Sequence, residues 1–163
     1  MEVDYTKRHF LRVSSTKEAP VRPPYSVSEE RFAEDCTRCK ACVDICETKV
    51  ISIDNAGLPF VDFSDDECTF CGLCSDVCPT KALDKSLNTA FNTTISIKKN
   101  CFAENNIYCQ SCRDVCDESA ITFDFFSQVI PTPQVNNDAC TGCGACISIC
   151  PQNSINIIKI KDA

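Results

Sequence analysis

Residues 140 to 151 read CTGCGACISICP, a run whose cysteine spacing recurs along the chain. Cys140, Cys143, Cys146 and Cys150 follow C-x2-C-x2-C-x3-C, and Pro151 closes the run. The same spacing occurs earlier at Cys68, Cys71, Cys74 and Cys78, followed by Pro79, and at Cys36, Cys39, Cys42 and Cys46, followed by Glu47. Cys101, Cys109, Cys112 and Cys116, followed by Asp117, make the third quartet in chain order, with seven residues instead of two between its first pair. These four quartets take up all 16 cysteines of the 163-residue chain.

The chemistry that needs this spacing is a cubane iron–sulfur cluster, whose four irons each take one soft thiolate. Three cysteines spaced by two residues can wrap one loop around a cube, while the fourth is carried away from it. Proline suits the end of such a turn because it fixes φ and cannot continue backbone hydrogen bonding. The pattern resembles that of two-cluster bacterial ferredoxins, in which the fourth cysteine ligates the neighbouring cluster. That resemblance implies crossed sets: Cys36, Cys39, Cys42 with Cys78; Cys68, Cys71, Cys74 with Cys46; Cys101, Cys109, Cys112 with Cys150; and Cys140, Cys143, Cys146 with Cys116. Four uncrossed quartets remain compatible with the spacing alone. Structural zinc usually joins two C-x2-C hooks a dozen or more residues apart, which these runs do not match.

The quartets pair into a duplicated unit. Between the first and second, VISID (50 to 54), the turn-like NAGL and PFVDF (59 to 63) predict a short hairpin. AITFDFF (120 to 126) and SQVIPTP (127 to 133) predict another between the third and fourth. Short strands are expected at 95 to 97 and 155 to 160. A helical turn is expected between the third and fourth cysteine of each quartet, holding Ile45, Val77, Val115 and Ile149. The fold class is thus α+β: tandem bacterial-type modules with two clusters each, over residues 30 to 90 and 91 to 163, behind a flexible arm of residues 1 to 29. Modules this small bury little apolar surface and need internal staples, which the clusters would supply.

Charge narrows the function. The formal net charge of -7 disfavours nucleic-acid binding. Residues 1 to 25 hold five Lys or Arg against three acids, leaving eleven against twenty, or -9, for the remainder. Four clusters at roughly two negative charges each would add about -8. The start of the chain carries TKRHFLR, which looks like a twin-arginine motif with Lys7 for the first arginine, but no apolar run follows. The expectation is a cytoplasmic protein without a membrane span, where thiols stay reduced and available to metal. His9 in the arm is expected to be solvated. Nothing in the sequence suggests a catalytic triad, a phosphate loop or a flavin site, so no enzyme is expected.

The quartet order regular, regular, widened, regular, the RPPY stretch at Arg22 to Tyr25, and the acids Glu47 and Asp117 in place of proline together resemble the NapF family of ferredoxin-type proteins. The resemblance covers nearly the whole chain. It implies four 4Fe–4S clusters with all sixteen cysteines as ligands. It also implies a cytoplasmic role binding the precursor of NapA, the catalytic subunit of periplasmic nitrate reductase, and assisting its maturation. The competing function is an electron carrier of the polyferredoxin type. Within the widened quartet, FAENNIY is expected to bulge outward, with Phe102, Ile107 and Tyr108 covering the cluster or facing a partner. That cluster is expected to be the most exposed and most labile of the four.

Overall fold

In the computed structural model, which describes residues 20–87, 91, 93–126 and 129–159, two small α+β modules follow one another. Ser28 precedes helix α1 (Glu29–Asp35), whose first turn carries Glu29 and Glu30 at the positive end of the helix dipole. Its one buried side chain is Phe32, which is fully enclosed. A short helical turn then covers the third cysteine of every quartet: α2 (Ala41–Ile45), α3 (Leu73–Asp76), α4 (Ser111–Asp114) and α5 (Ala145–Ser148).

Each hairpin fills the span between two quartets. β1 (Ile51–Ile53) pairs antiparallel with β2 (Pro59–Val61), Ile51 facing Val61. Its turn is closed by the Asp54 carboxylate, which accepts from the N–H of Ala56 and of Leu58. β4 (Ile121–Phe123) pairs with β5 (Pro133–Val135), Ile121 facing Val135. Here the sequence reading set the second strand too early, within 127 to 133. In the observed register the buried Ile121 faces Val135, an apolar partner across the ladder.

β3 (Thr93–Ile97) and β6 (Ile155–Lys159) were expected as separate short strands, the second running on to residue 160, which lies outside the described residues. They form one five-residue antiparallel ladder that ties the two ends of the second module together. The first module closes in the same place by much less: a single bridge between Ser26 and Leu83, flanked by Val27 N–H to Ala82 O and Asp84 N–H to Tyr25 O.

That bridge corrects the expected arm. Residues 20 to 29 are part of the first module. Val21, Pro23 and Pro24 are buried, and Val61 N–H donates to Val21 O at 2.8 Å. Arg22, its side chain 9% exposed, reaches Glu29 at 2.8 Å, Asp54 at 2.8 Å and the Pro59 carbonyl at 3.0 Å, and its guanidinium lies over the Phe32 ring. The prolines cannot serve a central strand but fit an edge, and their apolar rings gain from burial. Residues 1 to 19, with His9 and TKRHFLR, lie outside the described residues.

The modules meet through the loop of the last quartet. Cys68 N–H donates to Cys143 O at 2.8 Å, and Phe91 stacks edge-on against Phe63 and Phe70. Gly144, at φ +90°, lies so flat on Phe63 that a Cβ would stand 2.2 Å from its ring. Gly142, at φ +73°, leaves that place to the hydroxyl of Thr93.

Candidate metal centres

No disulfide joins any of the sixteen cysteines, and they gather around four cavities. Site 1 is lined by Cys36, Cys39, Cys42 and Cys78. Site 2 holds Cys46, Cys68, Cys71 and Cys74. Cys101, Cys109, Cys112 and Cys150 surround site 3. Cys116, Cys140, Cys143 and Cys146 surround site 4, whose cavity of about 290 Å³ also reaches Cys68 across the module boundary. Every site combines three cysteines of one quartet with the last of its neighbour, so the structure arranges the thiols in the crossed manner. The short helix is the device. It leaves its third-position cysteine in one cavity and delivers the fourth to the next.

Local backbone shapes the three regular loops alike. The residue before the second cysteine and the residue after it take positive φ: Arg38 and Lys40, Phe70 and Gly72, Gly142 and Gly144. Runs of this kind turn successive N–H groups into a concave nest that suits an anionic cluster. The third residue after each final cysteine repeats the device at Lys49, Lys81, Ser119 and Asn153. The widened quartet differs. Its positive φ falls on Asn106, inside the insertion.

The thiols are not equivalent. Burial, aided by neighbouring cysteines, pushes the third thiol of each quartet up: Cys42 and Cys112 to about 11, Cys74 and Cys146 to about 12. Burial also raises Cys68 to about 11 and lifts Cys143. Cys39 is held below its ordinary value, chiefly by the N–H of Ala41 and then by Thr37. Iron taking these sites must displace protons from the deep thiols, so assembly releases protons.

Further groups face the sulfurs. Hydroxyls two residues on lie near Cys46 (Thr48, 3.7 Å), Cys78 (Thr80, 3.9 Å) and Cys109 (Ser111, 3.7 Å). In the second module the backbone N–H of Ala120 and of Ser154 donate to Cys116 and Cys150 at 3.3 Å. The sequence reading passed over these residues, although Ser or Thr two places after a cysteine recurs visibly.

The donor sets fit a cubane. Among the described residues no group of three Cys, His, Asp or Glu is placed to hold one metal ion. A tetrahedral zinc draws its thiolates to about 2.3 Å from one centre. A cubane spreads four thiolates over four irons, and each of these cavities is lined by four cysteines that could supply them.

FAENNIY does not open site 3. Ala103–Asn105 form a tight turn with Ala103 buried, and the Asn105 amide donates to the carbonyls of Lys99 and Cys101 at 2.7 and 2.8 Å. Phe102 lines the cavity, whereas Ile107 and Tyr108 face outward. The exposed thiols are Cys39 and Cys71, in the first module, so the expectation of greatest exposure at the widened quartet is not met. Gln110 donates to Tyr108 Oη at 2.6 Å and accepts from Arg113, whose guanidinium lies over the exposed Phe125.

Two stretches, residues 35–82 and 107–154, each match the 4Fe–4S dicluster domain. A ferredoxin-type protein NapF of Haemophilus influenzae is 41% identical over 86% of this chain and 80% of its own length. The NapF of Escherichia coli K12 is 35% identical over 95% of both. A ferredoxin-type protein NapG of E. coli K12 is 29% identical over 86% of this chain and 71% of its own. Two dicluster domains make this a four-cluster iron–sulfur protein, its cofactors four 4Fe–4S clusters. The chain belongs to the ferredoxin-type NapF family.

Proposed function

We propose that this chain is a cytoplasmic accessory protein, not itself an enzyme, that binds the precursor of the nitrate reductase catalytic subunit NapA before export and assists its maturation. The step served would be assembly of that subunit's own iron–sulfur cluster. In this reading all sixteen cysteines are ligands, in the four crossed sets above. What carries it is membership in the NapF family over most of the chain, joined to four complete thiol sets. The outward Tyr108, Ile107 and Phe125 beside site 3 favour a protein partner, and the net charge of -7 disfavours nucleic acid. No helix among the described residues is long and apolar enough to cross a membrane. Deleting the protein should leave exported NapA poorly active and poor in iron. Full activity and full iron content in its absence would refute the proposal.

One observation favours a second reading as an electron carrier. The bond from Cys68 N–H to Cys143 O joins a site 2 cysteine to a site 4 cysteine, so the sites run 1, 2, 4, 3 without a break. Cell fractionation separates the readings, because a relay to a periplasmic enzyme requires the protein in the periplasm or held by a membrane partner.

A further inference from the structure

The fourth residue after the last cysteine of each quartet is buried: Val50, Ala82, Ala120 and Ser154. Three are apolar and one carries a hydroxyl. Ser154 is fully enclosed, and its Oγ has no hydrogen-bond partner among the described residues. Its backbone is already committed, N–H to Cys150 Sγ at 3.3 Å and carbonyl to Lys98 N–H at 2.7 Å. The side chain is therefore not needed to complete the local fold, and Ala82 and Ala120 serve at the same step of the repeat without it. Burying an unpaired hydroxyl is unfavourable unless something accepts from it. Ser154 lines site 3 together with Cys101, Cys109, Cys112 and Cys150.

We propose that Ser154 Oγ donates a hydrogen bond to the sulfur of the cluster in site 3, sulfide or Cys150 thiolate, and so sets that cluster's reduction potential above the value it would otherwise have. A donor to cluster sulfur stabilises the more negative reduced state more than the oxidised one, which raises the potential. Ser154 is a positioning and tuning residue, and among the four equivalent positions only that of site 3 carries a hydroxyl, whereas Thr48 and Thr80 approach Cys46 and Cys78 from elsewhere. Val50, Ala82 and Ala120 stand at the other three. The inference rests on assigning those four cysteines to one cluster.

The test is an anaerobic redox titration of the whole protein, followed by EPR, with iron counted in each sample. Ser154→Ala should retain the iron and move one of four midpoint potentials to a more negative value. Ser154→Thr, which keeps the hydroxyl, should keep the original potential. The reciprocal Ala120→Ser should move one other midpoint to a more positive value. In a Cys101→Ala background, where site 3 has lost its cluster, adding Ser154→Ala should leave the remaining midpoints in place. Four unchanged midpoints in Ser154→Ala, equal displacement in the Ala and Thr variants, or no response to Ala120→Ser overturns the hydrogen bond. A Cys101→Ala protein with undiminished iron overturns the ligand set itself, which is a separate failure.

Discussion

The two modules share one plan and are stabilised differently. Among the described residues the first has a continuous core of ten buried residues, from Val21 and Phe32 to Leu83, which Phe91 of the second module joins, with Arg22 tying the entering chain to Glu29 and Asp54. The second gathers four, Ile95, Ile121, Cys146 and Ile155, and relies on the β3–β6 ladder to hold its ends. One module can lean on packing. The other leans on strand pairing and on the clusters that its thiols enclose. The difference shows that a repeat in ligands need not be a repeat in energetics.

Removing iron should break the comparison most severely. Chelation under reducing, anaerobic conditions should unfold the second module outright while the first keeps residual order around Phe32, since metal binding in small domains is largely folding free energy. Amide hydrogen exchange should then show protection near Ile51 and Val61 outlasting that near Ile121 and Ile155. Equal loss in both would mean that the larger core contributes nothing without iron. Next in size is Cys101→Ala, which should cost one cluster, about a quarter of the iron, read by iron and sulfide analysis.

Two substitutions address the junction and the first module. Gly144→Ala should destabilise by about 3 kcal/mol, from a left-handed backbone with a side chain and from displacing the buried Phe63 ring. Because unfolding with cluster loss is irreversible, the measurement is the rate of visible bleaching in urea. Arg22→Ala leaves Asp54 Oδ2 without its partner, while Oδ1 keeps the N–H groups of Ala56 and Leu58, and should cost about 1 to 2 kcal/mol. Bleaching should accelerate for the clusters of the first module, resolved by EPR, and leave the second unaffected. Smallest is Thr48→Val. It removes a hydroxyl at 3.7 Å from Cys46 and should lower one midpoint slightly in a redox titration.

Much of the site was legible because its geometry is local. Spacings of two and three residues dictate the loop and the short helix, so a helical turn in each quartet was legible, although it starts one residue before the third cysteine and, except at Ile45, stops just short of the apolar residue expected inside it. β1 and β2 were legible as well, since alternating apolar residues flank an Asn-Ala-Gly turn. β5 was misplaced because a three-residue strand carries little period, and its register is a matter of pairing with the other strand, where Ile121 faces Val135. Residues 20 to 29 were wrongly included in the flexible arm because nothing within RPPY itself signals burial. Its burial depends on Asp54 and Phe32, neither of them adjacent in sequence.

The sequence alone determined that this is a four-cluster protein built by duplication, because the spacing within each quartet signals the cluster type and its fourfold repeat signals the number, whichever distant cysteine completes each site. Only the tertiary structure decided which fourth cysteine enters which cavity, that residues 20 to 29 belong to the first module, that β3 closes onto β6, and that Cys68 meets Cys143. Those choices depend on where a chain travels after leaving its own loop. That course is fixed by burial and hydrogen-bond partners many residues away, not by spacing.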